Sequence, residues 1–335
     1  MKITKIKSIL ILMITLILAV ISPLQIAAAS ATNTDAKYYS NFTTSPAYKN
    51  FSILKSYKSS RTAIIPGLKN TNVAGTNCST MTPQGLCIAG DYMLISAYDS
   101  SKKCNSVVYV LNNSTLKYIT TLVLPSKIHA GGVAYDGTNV WICNNSSLSC
   151  IKYSTIKSAA NSKPTYKKVS WASTKYLGIT ASFVTYYNSK LWVGTFNEKS
   201  DQNMYSYSVK NKTSSAPTLL SAINRMTVPD RTQGVAFCNG YMIVTRSLRQ
   251  NMYKSDYISV LRVYKPSFSN PTSSGFIYKN NAVKTTKLPP MAEGVVMNST
   301  NTYILFESAA KVYSGCTNKY YVDRVVAFNT STIIR

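Results

Sequence analysis

The chain predicts an all-β fold, a five-bladed β-propeller, and three observations carry that expectation. A small or polar residue introduces a short apolar stretch five times: Gly85-Leu86-Cys87-Ile88, Gly132-Val133-Ala134-Tyr135, Ser182-Phe183-Val184-Thr185, Gly234-Val235-Ala236-Phe237 and Gly294-Val295-Val296-Met297. Their starts lie 47, 50, 52 and 60 residues apart. Between them, short β-branched and aromatic runs alternate with turns of Gly, Asn, Asp and Ser, in units of four strands. No later segment sustains a capped apolar period of 3.6 residues, so helix is expected to be nearly absent. Such a unit cannot bury both faces alone and must stack on its neighbours around an axis.

The N-terminus precedes the first unit with a different pattern. Lys2, Lys5 and Lys7, an apolar run from Ile9 to Ile21 broken only by Thr15, and the small residues Ala27-Ala28-Ala29 have the layout of a secretory signal peptide over 1–29. No later stretch approaches the roughly 20 apolar residues of a spanning helix, so no transmembrane segment is expected in the mature chain. Residues 30–45, rich in Ser, Thr and Asn, read as a flexible leader, and 46–335 as a single propeller domain. The location implied is extracellular, with retention at the cell wall.

The first unit runs from Gln84 to Ala89, Tyr92 to Tyr98, Val107 to Leu111 and Lys117 to Leu124. The second passes through Val140-Trp141-Ile142 and Cys150-Ile151-Lys152-Tyr153 to a last strand near Val169-Ser170-Trp171. The third contains Leu191-Trp192-Val193 and Tyr205-Ser206-Tyr207; the fourth contains Tyr241 to Val244 and Ile258 to Leu261, then a Ser- and Pro-rich excursion from Lys265 to Ser274. The fifth has Tyr303 to Phe306 and Val325 to Phe328, after which the chain stops one strand short. The N-terminal runs Phe51 to Leu54 and Thr62 to Ile65 are available to supply it and close the ring. Six blades is the alternative, if residues 48–77 form more than one strand.

Innermost strands line the axis, and loops converging at one mouth are where propellers place ligands. The residues just before each apolar run are Gln84, His129 with Gly131, Ser182, Gln233 after Asp230-Arg231, and Glu293. Glu307 ends the second strand of the fifth unit, as Asp99, Glu198 and Arg246 do in other units. The ligand-binding candidates are therefore Gln84, Arg231, Gln233 and Arg246. The catalytic candidates, should the protein be an enzyme, are His129, Glu293 and Glu307. His129 is the only histidine, able to move a proton near neutral pH, and a carboxyl pair can supply acid and base. Hydrogen bonding from blade to blade is the competing role for all of them.

With seven cysteines one must stay unpaired within the chain, and Cys143 and Cys150 flank a turn at a spacing that permits a disulfide. No metal-ligand spacing is present, so no metal or other cofactor is expected, a calcium on backbone carbonyls aside. The net charge of +26 becomes +23 without the signal segment, because three lysines and no acids leave with it. Charge of that size favours a polyanionic partner such as teichoic acid or an acidic polysaccharide, with nucleic acid as a non-specific contact. The 25 tyrosines add flat faces with polar tips, suited to sugars. A monomer is expected.

Pro83-Gln84-Gly85-Leu86, His129-Ala130-Gly131-Gly132-Val133-Ala134, Gln233-Gly234-Val235-Ala236, Pro289 to Val295 and Phe306-Glu307-Ser308-Ala309 resemble a group of secreted propeller-type proteins from Gram-positive bacteria. That resemblance covers roughly residues 80 to 330 and implies fold and export. Gln84-Gly85-Leu86 and Glu293-Gly294 are similar to the blade openings of plant-type glutaminyl cyclases, though Gly131 stands where that family has an acid. Gly132 to Trp141 resembles streptogramin lyase propellers, without the metal-binding carboxylates and histidines of the related lactonases. The function expected is binding of an anionic envelope polymer or acidic glycan at the axial mouth. The alternative is an enzyme at the same site: a lyase using His129 with a tyrosine, a glycoside hydrolase using Glu293 and Glu307, or a cyclase of the glutaminyl type.

Overall fold

The computed structural model describes residues 39–68, 71–74, 78–248, 258–266, 275–276, 281–313 and 319–335. The signal segment, Asp35, Asp256, Cys316 and most of the Lys265–Ser274 excursion lie outside them.

Five antiparallel sheets form a five-bladed propeller. Strand β1 (Ala63–Ile64) precedes blade 1, which comprises β2 (Met81–Ala89), β3 (Tyr92–Asp99), β4 (Val107–Asn112) and β5 (Tyr118–Val123). Next come β6 (Val133–Tyr135), β7 (Asn139–Asn144), β8 (Ser147–Lys152), β9 (Tyr166–Lys168) and β10 (Ser173–Tyr176). Of these, β6, β7, β8 and β10 make blade 2. Blade 3 has β11 (Phe183–Tyr187), β12 (Lys190–Gly194), β13 (Gln202–Lys210), β14 (Thr218–Leu219) and β15 (Arg225–Val228). Blade 4 has β16 (Thr232–Cys238), β17 (Tyr241–Leu248), β18 (Ile258–Tyr264) and, beyond β19 (Gly275–Phe276), β20 (Lys284–Leu288). β19 instead lies parallel to β15 on blade 3. Blade 5 is β21 (Ala292–Met297), β22 (Asn301–Phe306) and β23 (Arg324–Asn329), completed by β1. The ring closes there, Ala63 opposite Val325 and Ile64 opposite Arg324.

The inner strands meet in a cycle, β2 against β6, β6 against β11, β11 against β16, β16 against β21 and β21 against β2. Both faces of each blade are covered, which is why β3 and β4 are buried along nearly their whole length and read as continuous apolar runs. Five apolar clusters fill the five interfaces between blades. Burial of this surface, at about 25 cal/mol per Å², is the main force holding the ring.

Several expectations need correction. The end of the expected leader packs on the ring: the Tyr39 backbone N–H donates to Asp323 Oδ2 at 2.7 Å, and Phe42, 2% exposed, lies under the Arg324 guanidinium. Ser52–Ser56 is a 3-10 turn that buries Ile53 and Leu54 against blades 4 and 5, so only Ala63–Ile64 serves as the closing strand. Pro46–Asn50 forms a short helix, α1, capped by Ser45. A longer helix, α2, spans Tyr153–Ser162 in blade 2; Ile156, Ala159 and Ala160 form its buried stripe, and it stops at left-handed Lys163 before Pro164. That stripe is too short to register as a sustained period in the sequence. The last strand expected near Val169-Ser170-Trp171 is displaced: β9 ends at Lys168 and pairs parallel with β5 of blade 1, while the outer strand of blade 2 is β10. A third short helix, α3 (Thr330–Ile334), buries Ile333 after the last strand.

Cys143 faces Leu148 and Cys150 faces Trp141 across the β7–β8 ladder, so the two cysteines are offset and both are free thiols. In blade 3 the repeat is one residue off the expected alignment. A Cβ on Gly132 would meet Val184 N at 2.6 Å and Phe183 Cα at 2.8 Å, whereas one on Gly85 would meet Val133 N at 2.7 Å and Gly132 C at 2.9 Å. Phe183, not Ser182, therefore holds the glycine position. Its ring occupies the space above Gly194, its cross-strand partner.

Candidate functional site

The axis narrows at a waist formed by Gly85, Gly132, Gly234 and Gly294 with Phe183, leaving about 10 Å³, room for no more than one water. Each glycine lies where the next blade's backbone comes within contact distance, the reason side chains are excluded there. The waist separates two mouths. The downstream mouth is a cavity of about 290 Å³ walled by Leu86, Val133, Tyr135, Val184, Phe237 and Met297 among others. The upstream mouth holds the chemistry.

Three inner strands change register immediately before the waist, between Pro83 and Leu86, Thr232 and Gly234, and Ala292 and Val295. The bulges contain Gln84, Gln233 and Glu293, and a bulge re-aims the side chain it carries. Left-handed backbone at Ala130, Arg231 and Met291, with φ of 52°, 58° and 60°, marks the approach to three of these strands. Blade-to-blade bonding is done by second-strand hydroxyls: Ser96 Oγ donates to Ala130 O at 2.7 Å, and Thr245 Oγ1 to Glu293 O at 2.6 Å. The Glu293 carboxyl is thereby left for other work.

Glu293, 2% exposed, meets Glu307, 8% exposed, carboxyl to carboxyl. Gln84 Nε2 donates to Glu307 Oε2 and Tyr313 OH to Glu307 Oε1, each at 2.7 Å. Desolvation lifts the Glu307 pKa to about 7 against the pull of the Tyr313, Glu293 and Gln84 hydrogen bonds. Glu293 is raised well above the carboxylate range by desolvation and then by the charge of Glu307, to which it is hydrogen-bonded. The pair thus keeps at least one proton at neutral pH, held by Glu293, while Glu293 Oε1 has no hydrogen-bonding partner among the described residues. Desolvation, then the charges of Glu307 and Glu293, push the Tyr98 phenol up to about 12.

Tyr98 joins this pair to a second feature. Its ring lies 4.4 Å from that of His129, and both border a cavity of about 470 Å³ lined also by Asp99, Lys102, Cys104, Lys127 and Asn145. His129 is exposed along its outer edge, and desolvation of the rest lowers its pKa from the ordinary imidazole value, which favours the neutral ring. Asp99 is occupied: Thr80 Oγ1, Ser101 and the Lys103 and Cys104 N–H groups all donate to it. Desolvation of this carboxyl is outweighed by those bonds, which hold it well below the usual range.

The structure thus brings Gln84, Glu293 and Glu307 into contact, links His129 to them through Tyr98, and leaves Gln233 at the waist. Arg246 and Arg231 do not join them as free cations. The Arg246 guanidinium, 4% exposed, is ion-paired with Asp230, and Arg231 lies 4.0 Å from Glu198. Glu198 sits in the loop after β12, not at a strand end. Tyr98, Lys102, Lys127 and Tyr313 escape the sequence argument because all but Tyr98 lie in connections, where no period marks them. The chain matches no protein-family model and no curated protein.

Proposed function

We propose that the mature protein is exported and binds an anionic extracellular polymer, a teichoic acid or acidic polysaccharide, at its upstream mouth. The cavity flanked by Lys102 and Lys127 carries this reading: it offers two cations, the neutral His129 and the Tyr98 ring, and its one acid is already saturated by donors. The high net positive charge would draw a polyanion to it, with affinity falling steeply as salt rises.

A second reading, catalysis on the same polymer, is favoured by the Glu293–Glu307 pair, where a protonated and an ionisable carboxyl stand in contact. Glycosidases separate such groups by about 5 to 9.5 Å to admit a sugar or a water, so a directly bonded pair suits proton transfer in an elimination better than hydrolysis. In that chemistry the lysines would neutralise a substrate acid, while His129 or the carboxyl pair would take and return the proton.

The test is a titration of the chain from Ser30 onward against teichoic acid, polygalacturonate, DNA and a neutral glycan at low and high salt, with products read by mass spectrometry. Salt-labile binding that drops about tenfold in the Lys102→Ala/Lys127→Ala double variant is expected. Full affinity in that variant sinks the mouth as the binding site. Product formation that Glu293→Gln abolishes, with binding intact, establishes the catalytic reading.

A further inference from the structure

One pair of nucleophilic side chains at the edge of the mouth cavity has no part in the function proposed above. Cys78 precedes β2, Cys104 lies in the loop between β3 and β4, and their sulfurs and the Asp99 carboxylate all lie within 4.8 Å of one another. Three such groups invite comparison with a metal site, but Asp99 has no lone pair to spare. Thr80 Oγ1, Ser101 N and Ser101 Oγ donate to its Oδ1, and Lys103 N and Cys104 N to its Oδ2, the last two at 2.8 Å each. Asp99 works instead as the peg around which the 99–104 loop is wound. The outcome of that winding is a thiol returned over a second thiol.

We propose that Cys78 and Cys104 are a disulfide-forming pair, oxidised by thiol–disulfide exchange, and that the bond fixes the wall of the mouth cavity that carries Lys102. Cys104 lines the cavity and is half-buried, so a small disulfide in solution reaches it; Cys78 is 3% exposed. Burial pushes the Cys78 thiol up to about 11, which assigns first attack to Cys104. The Cys104 thiolate attacks one sulfur of the external disulfide and expels the other half as a thiolate. Cys78, giving up its proton, then attacks the Cys104 sulfur of the mixed disulfide and expels the second half. Two S–H bonds are lost in the protein, one S–S bond forms, and the external disulfide leaves as two thiols. The other described cysteines lie elsewhere: Cys87 and Cys143 are buried deep between blades, Cys150 is offset from Cys143, and Cys238 packs at the interface of blades 4 and 5.

This goes beyond polymer binding and is tested without it. The folded mature chain is equilibrated with oxidised glutathione, alkylated at low pH, digested and analysed by mass spectrometry. A peptide pair joined through Cys78 and Cys104, lighter by two hydrogens than the two free peptides, is expected. Oxidation should raise the melting temperature by about 5 °C. Dithiothreitol should reverse the rise, and neither Cys78→Ser nor Cys104→Ser should show it. The proposal fails if both thiols stay open to alkylation at equilibrium with the oxidant, or if either pairs with Cys316. It also fails if both are protected until a chelator strips zinc from them.

Discussion

Replacing Glu293 by Gln keeps the shape of the protonated side chain and its ability to donate to Glu307, while removing its ionisation. A buried acid with a raised pKa retains its proton in the folded state after the unfolded chain has lost it. Its stabilising contribution is therefore complete below the unfolded value near 4.5 and drains away as pH rises toward the folded value. For Glu307, with a folded pKa of about 7, the loss between pH 5 and pH 7 is about 2 kcal/mol. Glu293 adds a loss of about 1.4 kcal/mol per pH unit for as long as it holds its proton. Urea unfolding followed by the fluorescence of Trp141, Trp171 and Trp192 measures both proteins at pH 5, 6 and 7. Glu293→Gln should be within about 1 kcal/mol of the parent at pH 5 and should gain on it by about 2–3 kcal/mol by pH 7. A gap that stays constant with pH, or one that widens in favour of the parent, would refute the proton-sharing pair.

Three further outcomes follow from packing. Gly132→Ala places a Cβ 2.6 Å from Val184 N, a backbone atom that cannot swing aside, and should lower unfolding free energy by about 3 kcal/mol or more in the same urea assay. Asp230→Ala strands the buried Arg246 guanidinium and should cost about 3–5 kcal/mol, whereas Glu198→Ala, removing the exposed partner of Arg231, should cost less than about 1 kcal/mol. Phe42→Ala should remove about 3 kcal/mol of packing and make residues 39–50 more readily cut in limited proteolysis than in the parent.

What the sequence makes legible is local. Gly85, Gly132, Gly234 and Gly294 announce the inner strands because nothing larger fits where one blade's backbone meets the next, and Gln84 and Glu293 are found at the mouth because they precede those glycines. What escapes is the choice of partner. Tyr166 to Lys168 has strand composition, but nothing in those residues says that the neighbour is β5 of the previous blade. Likewise, Arg246 looks available until a turn sixteen residues upstream delivers Asp230 to it. Tyr313 shows no period at all, and it acquires meaning only when its hydroxyl reaches Glu307.

Phe183 and Gly194 restrict how blade 3 can change. Four blades present glycine at the waist. Blade 3 presents a phenyl ring instead, accommodated by its own second strand, which is bare at Gly194. The two residues are partners within one blade, and because the ring also clusters with Val235 and Phe237 of blade 4, the interface between blades 3 and 4 is packed unlike the other four. Any exchange has to be made in both places: a side chain at residue 194 collides with the ring, and glycine at residue 183 leaves a void among Trp192, Val235 and Phe237. A change at either position alone is blocked by the other, so the first two strands of blade 3 are tied to one another in a way the other blades are not.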